Sequence, residues 1–448
     1  MALIELDLTT QPDPAPGRLP PAYRYRLPGV ILAAVLAFAL GGATPGGSTL
    51  WRYLGAVPSP GGAESQSRLI GDRVYTLSSS GEERTATAWQ AASPPRKLWT
   101  VHFPARVTGP DDVGFGGVQA RQAGGTVLLS DGPATTVVDA RTGKIRWRSP
   151  VRVTTLAGDR IGYVQSQVFR PGTLYDQDSG DPGLLYFSST GEPHTEPPVR
   201  TEIRGLDLRS GAVVWTAAVP GSVNVFAAPG DAAAVLVLAS DRLERIDGDT
   251  GAVERAVEVP LLDGSGPSSG SLTDGLLLVH YGGSEVAYRA GTLAREWQRT
   301  VPEVLLDPPA CGTVLCAGPR TALDVLDPAT GAVGWRAPRD VDLGEQGRYV
   351  VELDAGSGAP LRLVDRRTGL LRVDLAGWNA GVTADEGLPL VVRRTLDAGR
   401  SAFGVVLAAR DQVQVLGATP GPVSDCASDL RFVMCRGNDG LQIWQYGS

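Results

Sequence analysis

Histidine is nearly missing: 448 residues hold three, His102, His194 and His280. None lies within five residues of a cysteine, and none forms a His-Glu-x-x-His pair. Metal catalysis by imidazoles therefore has little to build on. Lysine occurs only at Lys97 and Lys144, and no Gly-x-x-x-x-Gly-Lys phosphate loop is present. The net charge is −7, with no basic stripe interleaved with aromatics, which argues against a nucleic-acid partner. The four cysteines include no adjacent pair and no Cys-x-x-Cys spacing, so a zinc site is disfavoured. Serine–histidine chemistry is set by spatial geometry rather than spacing, and nothing in the sequence assigns a catalytic residue.

What the chain has is a repeat. Asp, two residues, Thr or Ser, Gly, then a bulky residue four places on, recurs five times. The copies are Asp139–Thr142–Gly143–Trp147, Asp207–Ser210–Gly211–Trp215, Asp247–Thr250–Gly251–Arg255, Asp327–Thr330–Gly331–Trp335 and Asp365–Thr368–Gly369–Val373. Each follows an apolar, strand-like run such as Thr136-Val137-Val138. The Asp carboxylate accepts backbone hydrogen bonds in a tight turn, and the Gly tolerates positive φ. The pattern is strand–turn–strand. Eroded copies sit in phase: Trp99 after Pro95, Trp297 after Leu293 and Val415 after Asp411. Upstream strands such as Ala234–Leu238 complete units of roughly 40 residues, the size of one propeller blade.

The phrases "VVDARTGKIRW", "GLDLRSGAVVW" and "VLDPATGAVGW" resemble the pyrroloquinoline-quinone-type (PQQ-like) propeller repeat across most of 66–448. The fold expected is all-β, a β-propeller preceded by one N-terminal transmembrane helix. Counted literally, eight units end at Trp99 through Val415, and a half unit at 425–448 pairs with an orphan final strand at Trp51-Arg52-Tyr53-Leu54, giving nine. Because propellers usually have four to eight blades, the expectation is eight, with one degenerate unit forming no blade of its own, and seven as the alternative.

The resemblance also raises a quinoprotein dehydrogenase with PQQ and calcium. Such enzymes use a vicinal disulfide, which this chain lacks. No residue here matches their cofactor ligands, so the expected cofactor is none. The propeller lipoprotein that assists outer-membrane barrel assembly shows a non-enzymatic use of the fold, but no lipobox cysteine stands near residue 43. The leading expectation is a non-catalytic binding or scaffold module for protein or glycan ligands. The alternatives are the PQQ-dependent dehydrogenase and a sensory ectodomain acting through a separate partner.

The domain map has a polar tail at 1–26, a signal anchor at 27–43, a short stem at 44–65 with a closing strand at 50–57, and the propeller at 66–448. The apolar run is short for a bilayer span. Arg18, Arg24 and Arg26 precede it and no Lys or Arg follows until Arg52, so the tail is expected in the cytoplasm and the propeller outside. A cleaved signal peptide is the competing reading, because Ala37-Phe38-Ala39 has small-residue spacing. Abundant Arg, Gly and Ala point to a GC-rich bacterial, actinobacterial coding sequence.

Cys311, Cys316, Cys426 and Cys435 all lie on the outer side. Local bridges Cys311–Cys316 and Cys426–Cys435 are expected, the first requiring a turn at Gly312. Buried free thiols are the alternative. Asp176, Asp178 and Asp181 are weak calcium candidates, since Gly180 stands where an EF-hand has its third acid. They fall in an insertion around Gln167–Arg200, on a loop face suited to a partner.

Overall fold

The computed structural model describes residues 50–447 apart from 61–64, 81–82, 105–117, 177, 179, 182, 231, 302–309, 339 and 383–387. The expected tail and anchor lie outside the described residues. Among those described, no helix is long and apolar enough to cross a membrane.

Nine antiparallel sheets follow one another along the chain, at 66–104, 119–149, 154–220, 224–258, 269–300, 316–336, 341–374, 380–418 and, for the last, 424–446 joined by 51–57. We number them blades 1 to 9. Among the described residues, all have four strands except blade 6, which has three. In blade 9 the strand Trp51–Val57 pairs antiparallel with Gly440–Tyr446, so the two ends of the propeller sequence share one sheet. Closing a ring this way leaves no exposed blade face.

Nine apolar clusters fill the nine junctions. Tyr75, Leu77 and Trp99 of blade 1 pack on Val127, Leu129 and Val138 of blade 2. The sequence of two-blade clusters continues around the chain. It ends where Met434, Leu441 and Ile443 of blade 9 meet Leu69 and Val74 of blade 1. The cores lie between blades because a four-stranded sheet buries its two faces only against neighbours.

This corrects the blade number expected from the sequence. The ring has nine blades, neither eight nor seven. No eroded unit drops out, because each keeps the apolar alternation that fills its junction even where the turn motif has decayed. In blade 8, Val391, Phe403 and Val405 are buried without an Asp–Thr–Gly turn.

The turns behave as their residues dictate. Asp139 Oδ1 accepts from the backbone N–H groups of Arg141 at 3.0 Å and Thr142 at 2.8 Å, and from the Thr142 hydroxyl at 2.9 Å. Gly143 N–H then donates to the Asp139 carbonyl at 2.9 Å, with Gly143 at φ 71°. Asp207, Asp247 and Asp365 repeat this arrangement. A further copy, Asp354–Ser357–Gly358, joins the second and third strands of blade 7 instead of the third and fourth. The sequence reading passed over it.

Hydrogen bonds to these carboxylates lower their pKa. The Arg146 guanidinium is the largest influence at Asp139, and the Ser or Thr hydroxyl at Asp207, Asp247, Asp365 and Asp354. A depressed folded-state pKa contributes stability that is present above the unfolded value, near 3.9, and is lost as pH falls through the folded one. Thermal melting should therefore show a falling Tm below about pH 4, and Asp207→Asn should flatten that fall. A Tm unchanged down to pH 2.5 would rule out this origin of acid sensitivity.

Candidate functional site

The blades lock together through a reciprocal arrangement of large and small residues. In every blade the register slips by one residue between the last two strands, a β-bulge. The residue beside that bulge on the last strand is Trp99, Trp147, Trp215, Arg255, Trp297, Trp335, Val373, Gly417 and Gly55 in blades 1 to 9. Val415, which the sequence places in phase at this position, is out of register with it.

Each of the five tryptophans donates its indole N–H to the carbonyl just after the position of the motif Asp in the next blade. Trp99 reaches Ala140 at 3.0 Å, Trp147 Leu208 at 3.0 Å, Trp215 Gly248 at 2.7 Å, Trp297 Pro328 at 2.9 Å and Trp335 Arg366 at 2.9 Å. The turn glycine of that next blade lies flat on the indole. A Cβ at Gly143, Gly211, Gly251, Gly331 or Gly369 would come within 2.7 Å of it. The motif glycine thus answers the tryptophan of the preceding unit, not its own. Gly251 persists in a unit ending in Arg255 because Trp215 precedes it.

Where the tryptophan is absent, so is the glycine. Arg255 donates to Thr292 O at 3.0 Å, beside Leu293 at φ 55°. Val373 precedes a turn that ends at Asp411, φ 52°. Gly417 lies against Trp51, and Gly55 against Pro95, so the large residue has moved to the following blade on both flanks of the closing sheet.

These turns occupy one face of the ring. Connections between second and third strands occupy the opposite face, as do the links from blade to blade. The insertion predicted from spacing lies there, between Ile161–Val168 and Arg200–Asp207 of blade 3. It carries its own two-stranded sheet, Tyr186–Phe187 with Pro193–His194. The His194 ring stacks on Phe169 at 3.7 Å, and its Nδ1 lies 3.1 Å from the Thr173 hydroxyl. Tyr175 N–H donates to Pro193 O and Thr195 N–H to Thr173 O, both at 2.9 Å. On this braced platform Leu174, Leu184 and Phe187 are 60 to 70% exposed.

The calcium candidates sit in the same insertion. Asp176 Oδ1 accepts from Asp178 N–H at 3.1 Å, and Asp181 Oδ1 from Gly183 N–H at 2.9 Å. Their oxygens close local turns. Among the described residues no group of three His, Cys, Asp or Glu is placed to hold a metal.

The cysteines are paired. Cys311 and Cys316 bridge with Cα atoms 6.4 Å apart around Gly312 at φ 53°. Cys426 and Cys435 bridge the first two strands of blade 9 at 4.1 Å, with Cys426 in a register slip. Both bridges were expected from the sequence.

Two charged clusters escaped the sequence reading. One lies on the turn face beside a cavity of about 650 Å³ lined by Asp274, Arg289, Asp327, Trp335 and Arg366 among others. Arg366 of blade 7 ion-pairs with Asp274 of blade 5 and, at 2.6 Å, with Glu345. Arg366 also donates to Thr313 O at 3.3 Å, and Asp274 accepts from Leu315 N–H at 3.0 Å. The cluster thereby holds the segment entering three-stranded blade 6 from both sides. Burial dominates at Asp274 and raises its pKa despite the guanidinium.

The second cluster crosses blade 5 near the opposite face. Apolar packing onto blade 6 uses Leu276, Leu278, Ala287 and Trp297. The strands of blade 6 are short, Cys316–Ala317, Asp324–Leu326 and Val333–Arg336. Further along the same side of blade 5, residues turn polar: Ser271, His280, Glu285 and Arg299, one from each strand. His280 pairs directly with Glu285, and Glu285 with Arg299. Ser271 Oγ lies 2.8 Å from His280 Nε2, and His280 Nδ1 lies 3.5 Å from Glu285 Oε2. Arg299 holds the other Glu285 oxygen. Burial pushes the Glu285 carboxyl up, but His280 and Arg299 more than offset it, so its pKa falls and it stays ionised.

Neither a family model nor a curated protein matches the chain. Solved structures do match in fold. BamB from Moraxella catarrhalis shares 16% identity, covering 89% of this chain and 98% of its own, with TM-score 0.36. The dihydro-heme d1 dehydrogenase NirN, solved in complex with DHE, shares 13%, covering 83% and 79%, with TM-score 0.43. The ring of nine antiparallel sheets makes the chain a β-propeller.

Proposed function

We propose that the chain is a bacterial, actinobacterial propeller of the PQQ-like kind, anchored in the membrane by residues 27–43 with its ring outside the cytoplasm. Its docking role is that of a non-catalytic binding or scaffold module, and that role requires no cofactor. Its ligand is a protein, docked on the face that carries the blade 3 insertion. The observation that carries this reading is the exposure of Leu174, Leu184 and Phe187 on one braced insertion. Lone exposed apolar residues are ordinary, but a local group on a rigid platform marks a contact surface. Large, stiff scaffolds with one elaborated loop commonly use that loop for recognition.

The test places a photo-crosslinking residue at Phe187 in full-length protein in intact cells. A discrete adduct is expected, and it should be lost when Leu174 and Leu184 are changed to Ser. Absence of an adduct, or one indifferent to those changes, would contradict the proposal. Labelling of Arg52 side residues only from the cytoplasmic side would contradict the topology.

A further inference from the structure

The geometry points to a second capacity, independent of the docking face: we propose that Ser271, His280 and Glu285 form an acyl-transfer site acting on carboxylic esters. Ser271 Oγ stands 2.8 Å from His280 Nε2, hydrogen-bond range for a nucleophile and its base. His280 Nδ1 faces Glu285, whose side chain is 4% exposed. A buried carboxylate 3.5 Å from Nδ1 favours the imidazole tautomer that leaves Nε2 free to accept a proton, and it stabilises the imidazolium that results. The two Glu285 oxygens are divided, one toward His280 and one to Arg299. The acid is therefore anchored from the side away from the histidine.

Register explains how three strands deliver these groups together. Ser269 stands opposite His280, which places Ser271 one diagonal step away on the same side. His280 then stands directly opposite Glu285. Diagonal and direct neighbours on one side of an antiparallel sheet are within side-chain reach. Ser271 and His280 are each partly exposed while the acid is buried, the gradient a nucleophile and its support require.

In the reaction, Ser271 Oγ attacks the ester carbonyl and passes its proton to His280 Nε2. The alkoxide leaves with that proton as an alcohol, and the acyl group stays on Ser271. Water, deprotonated by His280, then attacks the acyl-serine and restores the hydroxyl. The sum is ester plus water giving acid plus alcohol, with no other reactant.

A fluorophosphonate probe tests this on the detergent-solubilised full-length protein, with the modified peptide identified by mass spectrometry. Native protein should be labelled at Ser271, and heat-unfolded protein should not. His280→Gln should slow labelling by at least about a hundredfold, the usual contribution of a positioned base. Ser271→Ala should abolish the modified peptide. Each variant's Tm is measured alongside. If His280→Gln does not fold, His280→Asn takes its place. No labelling of the folded protein, or labelling that persists in a folded His280 variant, overturns the proposal. Loss of the Phe187 adduct bears only on the docking reading, so the two fail separately.

Discussion

Trp215→Ala lowers the unfolding free energy of the propeller by about 3–5 kcal/mol, while Arg255→Ala, the same position one blade later, changes it by less than about 1 kcal/mol. Trp215 is buried between blades 3 and 4, and its indole N–H is spent on Gly248 O. Truncation opens a cavity and leaves that carbonyl without its partner. Arg255 is exposed and offers one hydrogen bond to Thr292 O. Gly251→Ala costs about 2–4 kcal/mol, because positive φ penalises any Cβ and overpacking adds to it. Its φ is 74°, and the added Cβ would sit 2.6 Å from Trp215. In the Trp215→Ala background that clash is gone and only the backbone penalty remains. Denaturant titrations of both single variants and the double variant should give a coupling of at least about 1 kcal/mol. Strict additivity would mean the glycine does not answer the tryptophan.

That coupling also explains what the sequence disclosed and what it hid. Asp139, Gly143 and Trp147 look like one cassette because they are adjacent in sequence, and cassettes repeating at this spacing lead directly to a propeller. The physical unit straddles two cassettes: Trp99 with Gly143, Trp147 with Gly211. Erosion at one junction therefore removes a tryptophan from one repeat and a glycine from the next, so two neighbouring units look degraded for one cause. Arg255 and Leu293 are such a pair. The residues themselves count to nine units, and the low blade count came from the usual range of four to eight blades rather than from any unit's failure to form a sheet. At the seam the sizes are exchanged, Gly417 with Trp51 and Gly55 with Pro95.

The polar row of blade 5 was illegible for another reason. Ser271, His280, Glu285 and Arg299 come from four strands, and only the register shows that they share a side. A signal existed in the alternation: positions facing blade 6 are apolar at Leu276 and Leu278, then polar at His280. The insertion, by contrast, was visible as excess length alone.

Arg366→Met destabilises the ring by about 3 kcal/mol at pH 7, as breaking a mostly buried ion pair leaves its partners unpaired. Asp274 and Glu345 would then face each other without a cation, and the segment entering blade 6 would lose its Thr313 contact. The loss depends on pH in a direction opposite to that of the turn aspartates. Asp274 has a raised folded-state pKa, so its contribution favours the fold below the unfolded value and is lost as pH rises through the folded one. Removing Arg366 raises that pKa further. The difference between wild type and variant should shrink on acidification from pH 7 to about 4.5, because protonation removes the unpaired charge more readily in the variant. Parallel urea titrations at the two pH values decide it, and a deficit that grows on acidification would contradict the assignment.

The ring is sealed by its two ends. Native-state hydrogen exchange read by mass spectrometry addresses this seam in one experiment. The hydrogen-bonded amides of Trp51–Val57 and Gly440–Tyr446 should exchange as slowly as those of the buried strand Ala234–Leu238, through global unfolding alone. Rapid exchange of Trp51–Val57 while Ala234–Leu238 stays protected would show that the ninth blade does not close the ring.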